Sequence, residues 1–111
     1  MAFDEGLAEI LREALTDLDG IVEKRMFGGL AFMWHGHMLC GVHAGGAMFR
    51  VGKERHAEAL AIAGVTPMAF TGRPMGGMVD VAVDAMADDA HRDAVMALAR
   101  ANVASLPPKS P

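Results

Sequence analysis

Leu30-Ala31-Phe32-Met33-Trp34-His35-Gly36-His37-Met38-Leu39-Cys40-Gly41-Val42 carries the pattern that decides the fold. Leu30, Phe32 and Trp34 alternate with Ala31, Met33 and His35, the period of two expected of a strand. His35-Gly36 suits a two-residue hairpin turn, which returns the chain through Met38 to Val42. Two further glycine pairs, Gly28-Gly29 and Gly45-Gly46, flank this hairpin at turn spacing, so residues 21–51 read as an antiparallel meander.

Outward from the meander the period changes. Leu7, Ile10, Leu11, Ala14, Leu15 and Leu18 recur every three or four residues, which predicts a helix over residues 4–18, stopped at Asp19-Gly20. A second helix is expected over residues 53–62 with Gly64 as its stop. Residues 66–70 read as an extended edge segment, since Pro67 cannot donate to a ladder. Residues 71–77 then read as a Gly/Pro loop and residues 78–84 as a half-buried strand, Val79, Val81 and Val83 alternating with Asp80, Ala82 and Asp84. Asp88 or Asp89 is suited to cap a last helix that buries Val95, Leu98, Ala99 and Val103. The expected class is α+β: a two-layer domain with an antiparallel sheet of about five to six strands and helices on one face, in the order α-β-β-β(-β)-α-β-β-α.

Composition bounds the function. The chain has 111 residues, 52% hydrophobic and 22% charged, which fits one globular domain over residues 1–106 and a flexible Pro-rich tail over 107–111. No run reaches the 18 or so apolar residues of a membrane span, and the acidic start is unlike a signal peptide, so no membrane association and a cytoplasmic location are expected. Cys40 is the only cysteine, which excludes an intramolecular disulfide. A net charge of −4 and a pI of 5.6 argue against direct nucleic-acid binding.

The stretch Glu23-Lys24-Arg25-Met26-Phe27-Gly28-Gly29-Leu30-Ala31-Phe32 resembles the Met-Phe-Gly-Gly segment of the TfoX/Sxy family N-terminal domain. Similar features follow in order: Trp34-His35-Gly36-His37-Met38, Met48-Phe49-Arg50-Val51-Gly52, the run from Pro67-Met68 to Pro74-Met75, and Ser105-Leu106-Pro107-Pro108-Lys109. The resemblance implies a two-layer α/β fold with an antiparallel sheet and brings no catalytic residues. Founding members regulate natural competence and carry a second, C-terminal domain, for which a chain ending at Pro111 is expected to have no room.

Two readings of function from different classes follow. The first is a non-enzymatic, regulatory module that binds a protein partner, with which a homo-oligomer is compatible. Its expected contact residues are Arg25, Phe27, Gly28 and Gly29 in one glycine loop and Arg73, Met75 and Gly76 in the other, where accessible backbone stands beside an arginine and an apolar group. Arg50 could likewise take an acidic group. The second is a small thiol- or metal-dependent enzyme using Cys40 and the nearby His35, His37 and His43. Strand alternation is expected to set His37 and His43 on one face and Cys40 on the other, which disfavours it. Asp80, Asp84, Asp88 and Asp89 read as a wet strand face and a helix cap, and Met68, Met75 and Met78 as packing groups. No catalytic residue, metal or cofactor is therefore expected.

Overall fold

The computed structural model describes residues 5–26, 29–70 and 73–107, and for residues 26, 68–70 and 73–76 the backbone alone. Helix α1 (Glu5–Ala14) buries Leu7, Ala8 and Leu11. It stops four residues short of the expected 18. Leu15, Thr16 and Leu18 bond three residues back rather than four, and the Thr16 hydroxyl donates to the Glu13 carbonyl, so the last turn tightens instead of continuing.

Six strands follow: β1 (Val22–Met26), β2 (Gly29–Trp34), β3 (His37–His43), β4 (Gly46–Arg50), β5 (Val65–Phe70) and β6 (Arg73–Ala82). They form one sheet in the order β1-β2-β3-β4-β6-β5, with every neighbouring pair antiparallel. The β2–β3 turn holds His35 at φ 55° and Gly36 at φ 82°, the two positive values that a type I′ hairpin requires. A 3-10 turn (Lys53–Arg55) leads into α2 (His56–Leu60), in place of one helix over 53–62. Pro67 does lie on an edge strand.

Two boundaries of β6 depart from expectation. Arg73 to Gly77 are strand, not loop: Phe70 stands opposite Arg73 and Ala69 opposite Pro74. Proline is tolerated there because β4 reaches only to Met78, leaving Pro74 a strand neighbour on one side alone. At the other end Val83 and Asp84 leave the sheet and open α3 (Val83–Met86), with Val83 44% exposed. The ladder ends because Gly46 and Val65 are the last residues of β4 and β5 to pair with β6. Helix α4 (Asp89–Ala104) is capped by Asp88, whose side chain accepts from the His91 amide at 3.0 Å.

The core lies between the helices and one face of the sheet. Leu30, Val42, Ala47 and Val81 form one rung across four strands, and Phe32, Cys40, Phe49 and Val79 the next. Leu7 and Leu11 of α1, Ala59 of α2, Met86 of α3, and Val95, Ala99 and Val103 of α4 pack on them. Burying side chains of this size at about 25 cal/mol per Å² is what holds the layers together. Met38, Met48 and Met78 form a separate cluster, and the Met48 methyl covers Gly41 on the neighbouring strand.

Candidate functional site

Cys40 stands between Phe32 and Phe49 with no exposure, and burial pushes its thiol pKa well up. The reactive thiolate is thus disfavoured. The expected parity is wrong in detail: the β2–β3 register shifts after Phe32, so Met33 meets Met38 and Leu39 is the extra residue. Leu39 and Cys40 therefore both face the core, and His37 falls on the helix side with Cys40 while His43 faces the other way.

The histidines are separately engaged. His37 Nε2 donates to the Pro107 carbonyl at 2.7 Å, and its buried Nδ1 has no partner among the described residues. His43 Nδ1 accepts from the Gly45 amide at 3.0 Å, which leaves the proton on Nε2 to be donated to Asp80 Oδ1 at 2.6 Å. His35 stacks beside Trp34, ring centres 4.5 Å apart. Among the described residues no group of three His, Cys, Asp or Glu side chains could hold a metal ion. Asp88 is held below its ordinary pKa chiefly by the His91 amide bond, and Asp89 pairs with Arg92.

Of the expected contact residues, Arg25 is exposed on β1 opposite Leu30, and Gly29 opens β2. A side chain at Gly29 would run into the Val42 carbonyl, so close strand approach explains that glycine. Phe27 and Gly28 lie outside the described residues. Arg73, Met75 and Gly76 are on β6, and their side chains lie outside the described ones. The register sets the two glycine segments at opposite ends of the sheet: His43, Gly46 and Ala82 share the end of Gly29, whereas Arg73 lies beyond the Arg50–Met78 pair.

A feature outside those expectations is a cleft of about 360 Å³ where the ends of β4 and α4 meet. Arg50, Lys53 and Arg55 line it, and Glu54 is the one carboxylate among its described lining residues. Gly52 and Gly77, at φ 84° and 85°, form its narrow wall: both the Val51 and Gly52 amides donate to the Gly77 carbonyl, at 2.8 and 3.0 Å. The Gly77 amide in turn donates to His56 Nδ1 at 3.1 Å. On the α4 side Asn102, 8% exposed, donates from Nδ2 to the Arg50 carbonyl at 3.2 Å, and the Ser105 hydroxyl donates to the Asn102 carbonyl at 2.6 Å. The run from Arg50 to Arg55 holds three cations in six residues, a signal present in the sequence, but only Arg50 stood out from it.

The family model described as TfoX N-terminal domain matches residues 13–102, from the last two residues of α1 to the last turn of α4. The chain belongs to the TfoX N-terminal domain family. All six strands of this TfoX N-terminal domain, the Arg50 to Arg55 run and Asn102 fall inside the matched region. No curated protein and no solved structure matches the chain. The TfoX N-terminal domain family is not a known enzyme family, and among the described residues no helix is long and apolar enough to cross a membrane.

Proposed function

We propose that this TfoX N-terminal domain is a non-enzymatic, regulatory module that binds a protein partner along the free edge of β1. The observation that carries the reading is Val22, 59% exposed on an edge strand whose outer side pairs with no strand among the described residues. An edge of this kind offers a row of backbone donors and acceptors to an incoming extended segment, with exposed side chains setting the choice of partner. Arg25 lies on this edge strand, and Phe27, Gly28 and Gly29 follow it in the chain as the remaining proposed contact residues of this segment. Arg73, Met75 and Gly76 form a second and separate contact point next to the other edge strand, β5. The buried thiol of Cys40 supports binding over nucleophilic catalysis. The acidic net charge makes a protein, rather than duplex DNA, the expected partner.

The test is to identify a protein retained by the immobilised chain from its native extract, purify it, and measure its affinity for wild type and Val22→Lys. A tenfold or greater loss with an unchanged melting temperature supports docking at β1. Equal affinity for both chains refutes it.

A further inference from the structure

We propose that the occupant of the β1 edge is a second copy of this chain, paired antiparallel through Val22–Met26 about a two-fold axis at Lys24. The inference rests on the reading of β1 as the docking edge and names the partner. The sheet ends in two outer strands, β1 and β5. β5 carries Pro67, which has no amide to donate, and its pairing with β6 shifts between Pro67 and Ala69, so it is a poor template for a further strand. β1 holds an unbroken ladder of five residues against β2 and contains no proline. Helix α1 packs chiefly over β3, two strands in, and leaves the β1 edge open.

Charge selects the register. Glu23 and Arg25 stand opposite Phe32 and Leu30, which face the helices, whereas Val22 and Lys24 stand opposite Met33 and Ala31 and take the other face. A two-fold axis perpendicular to the sheet keeps like faces together, so only every second register is open. With the axis at Glu23, two carboxylates meet on the helix side, and with the axis at Arg25, two guanidiniums do. With the axis at Lys24, Glu23 of each copy stands opposite Arg25 of the other, and two opposite-charge pairs form. The axis itself then holds one pair of Lys24 side chains, whose long stems carry the ammonium groups apart into water.

The surroundings of Glu23 favour the same pairing. Arg12 holds both Glu9 and Glu23, so two carboxylates share one cation and the cluster keeps one negative charge. Arg25 of a second copy supplies the balancing charge. A guanidinium has five donors, enough to serve this carboxylate beside contacts within its own chain. Val22, 59% exposed, comes to lie opposite the last strand residue of the other copy and is partly covered. Five strand residues a side fall well short of the about 20 to 30 of a stable interface, so the dimer is weak and reversible. Each copy offers the same patch to the other and β5 is blocked by its proline, so assembly closes at two.

The experiment is sedimentation equilibrium of the full chain from micromolar to millimolar concentration, at low and high salt. The mass should rise reversibly from that of one chain toward twice that value, and less so in high salt. Glu23→Arg and Arg25→Glu each set like charges opposite one another and should weaken self-association at least tenfold. Mixed in equal amounts, the two variants present opposite charges at both pairs, and association should return to within about threefold of wild type. Lys24→Thr removes the like pair at the axis and should tighten association by about threefold. Should Glu23→Arg not fold, because it also removes the partner of Arg12, the weakening by Arg25→Glu and the tightening by Lys24→Thr decide. A mass that stays at one chain, a series of higher oligomers, or charge variants that associate like wild type overturns the proposal. A chain that stays monomeric, yet loses a partner from the native extract on Val22→Lys, refutes the second copy and leaves docking at β1 standing. If neither self-association nor an extract partner depends on Val22, both readings fall.

Discussion

Asn102 joins the last turn of α4 to the end of β4, its Nδ2 donating to the Arg50 carbonyl at 3.2 Å from a nearly buried position. Asn102→Ala leaves that carbonyl without its partner and should cost about 1 to 3 kcal/mol of unfolding free energy. Urea denaturation checks this, and a loss under 0.5 kcal/mol, about the spread of a surface change, would mean that water replaces the amide without penalty.

Cys40 should make the protein sensitive to alkali. Its folded pKa is raised by burial, so the thiol stays neutral in the native state while the unfolded chain ionises near pH 8.5. A raised folded pKa contributes stability that is complete below pH 8.5 and is lost above it, by about 2 kcal/mol between pH 8 and pH 10. Tyrosine is absent, so no phenol titrates in that window. Cys40→Ala should be less stable than wild type at pH 8, yet lose about 2 kcal/mol less on going to pH 10. Parallel losses in the two proteins would contradict a thiol buried in the native state.

Arg12 grips Glu23 through two bonds, 2.6 and 2.8 Å, and so ties α1 to the edge strand β1. The guanidinium holds the Glu23 carboxyl below its ordinary pKa. A lowered folded pKa contributes stability above about pH 4.3 that fades as pH falls toward the folded value. Both side chains are more than a third exposed, so solvent screening keeps the pair's contribution to a small loss on removal. Arg12→Ala should show that loss at pH 7 and low salt, and little of it at pH 3 or in 1 M salt. A loss of several kcal/mol, independent of salt, would show that Arg12 acts through packing instead.

Gly77 sits at φ 85° with its missing Cβ directed at Gly52 Cα, 3.1 Å away. Gly77→Ala should cost about 1 to 3 kcal/mol, from the left-handed backbone and from that contact together. Amide shifts concentrated at residues 50–56 would accompany it. A variant as stable as wild type would mean that the β4–β6 junction relaxes freely.

Much of the fold was legible because local rules and tertiary demands agree. His35-Gly36 suited a tight turn, Pro67 belonged on an edge, Asp88 or Asp89 suited a cap that the structure gives to Asp88, and the apolar stripe of α1 needed one apolar wall. The misreadings share a cause. Residues 73–77 look like loop because glycine and proline disfavour strands, but β5 supplies a partner and the short reach of β4 removes the penalty on Pro74. Val83 continues the alternation of β6, yet neither neighbouring strand extends far enough to hold it.

The sequence by itself determined the first and last helices, the antiparallel meander, the acidic balance and the family, all of which rest on periodicities and on residues adjacent in the chain. Tertiary structure alone decided the extra residue at Leu39, which swaps the face of His37, because a bulge depends on how two strands register rather than on either strand's pattern. It also decided the cleft. Arg50 to Arg55, Gly77 and Asn102 are separated by up to 52 residues and come together only when β6 inserts beside β4 and α4 lays its last turn across the strand end.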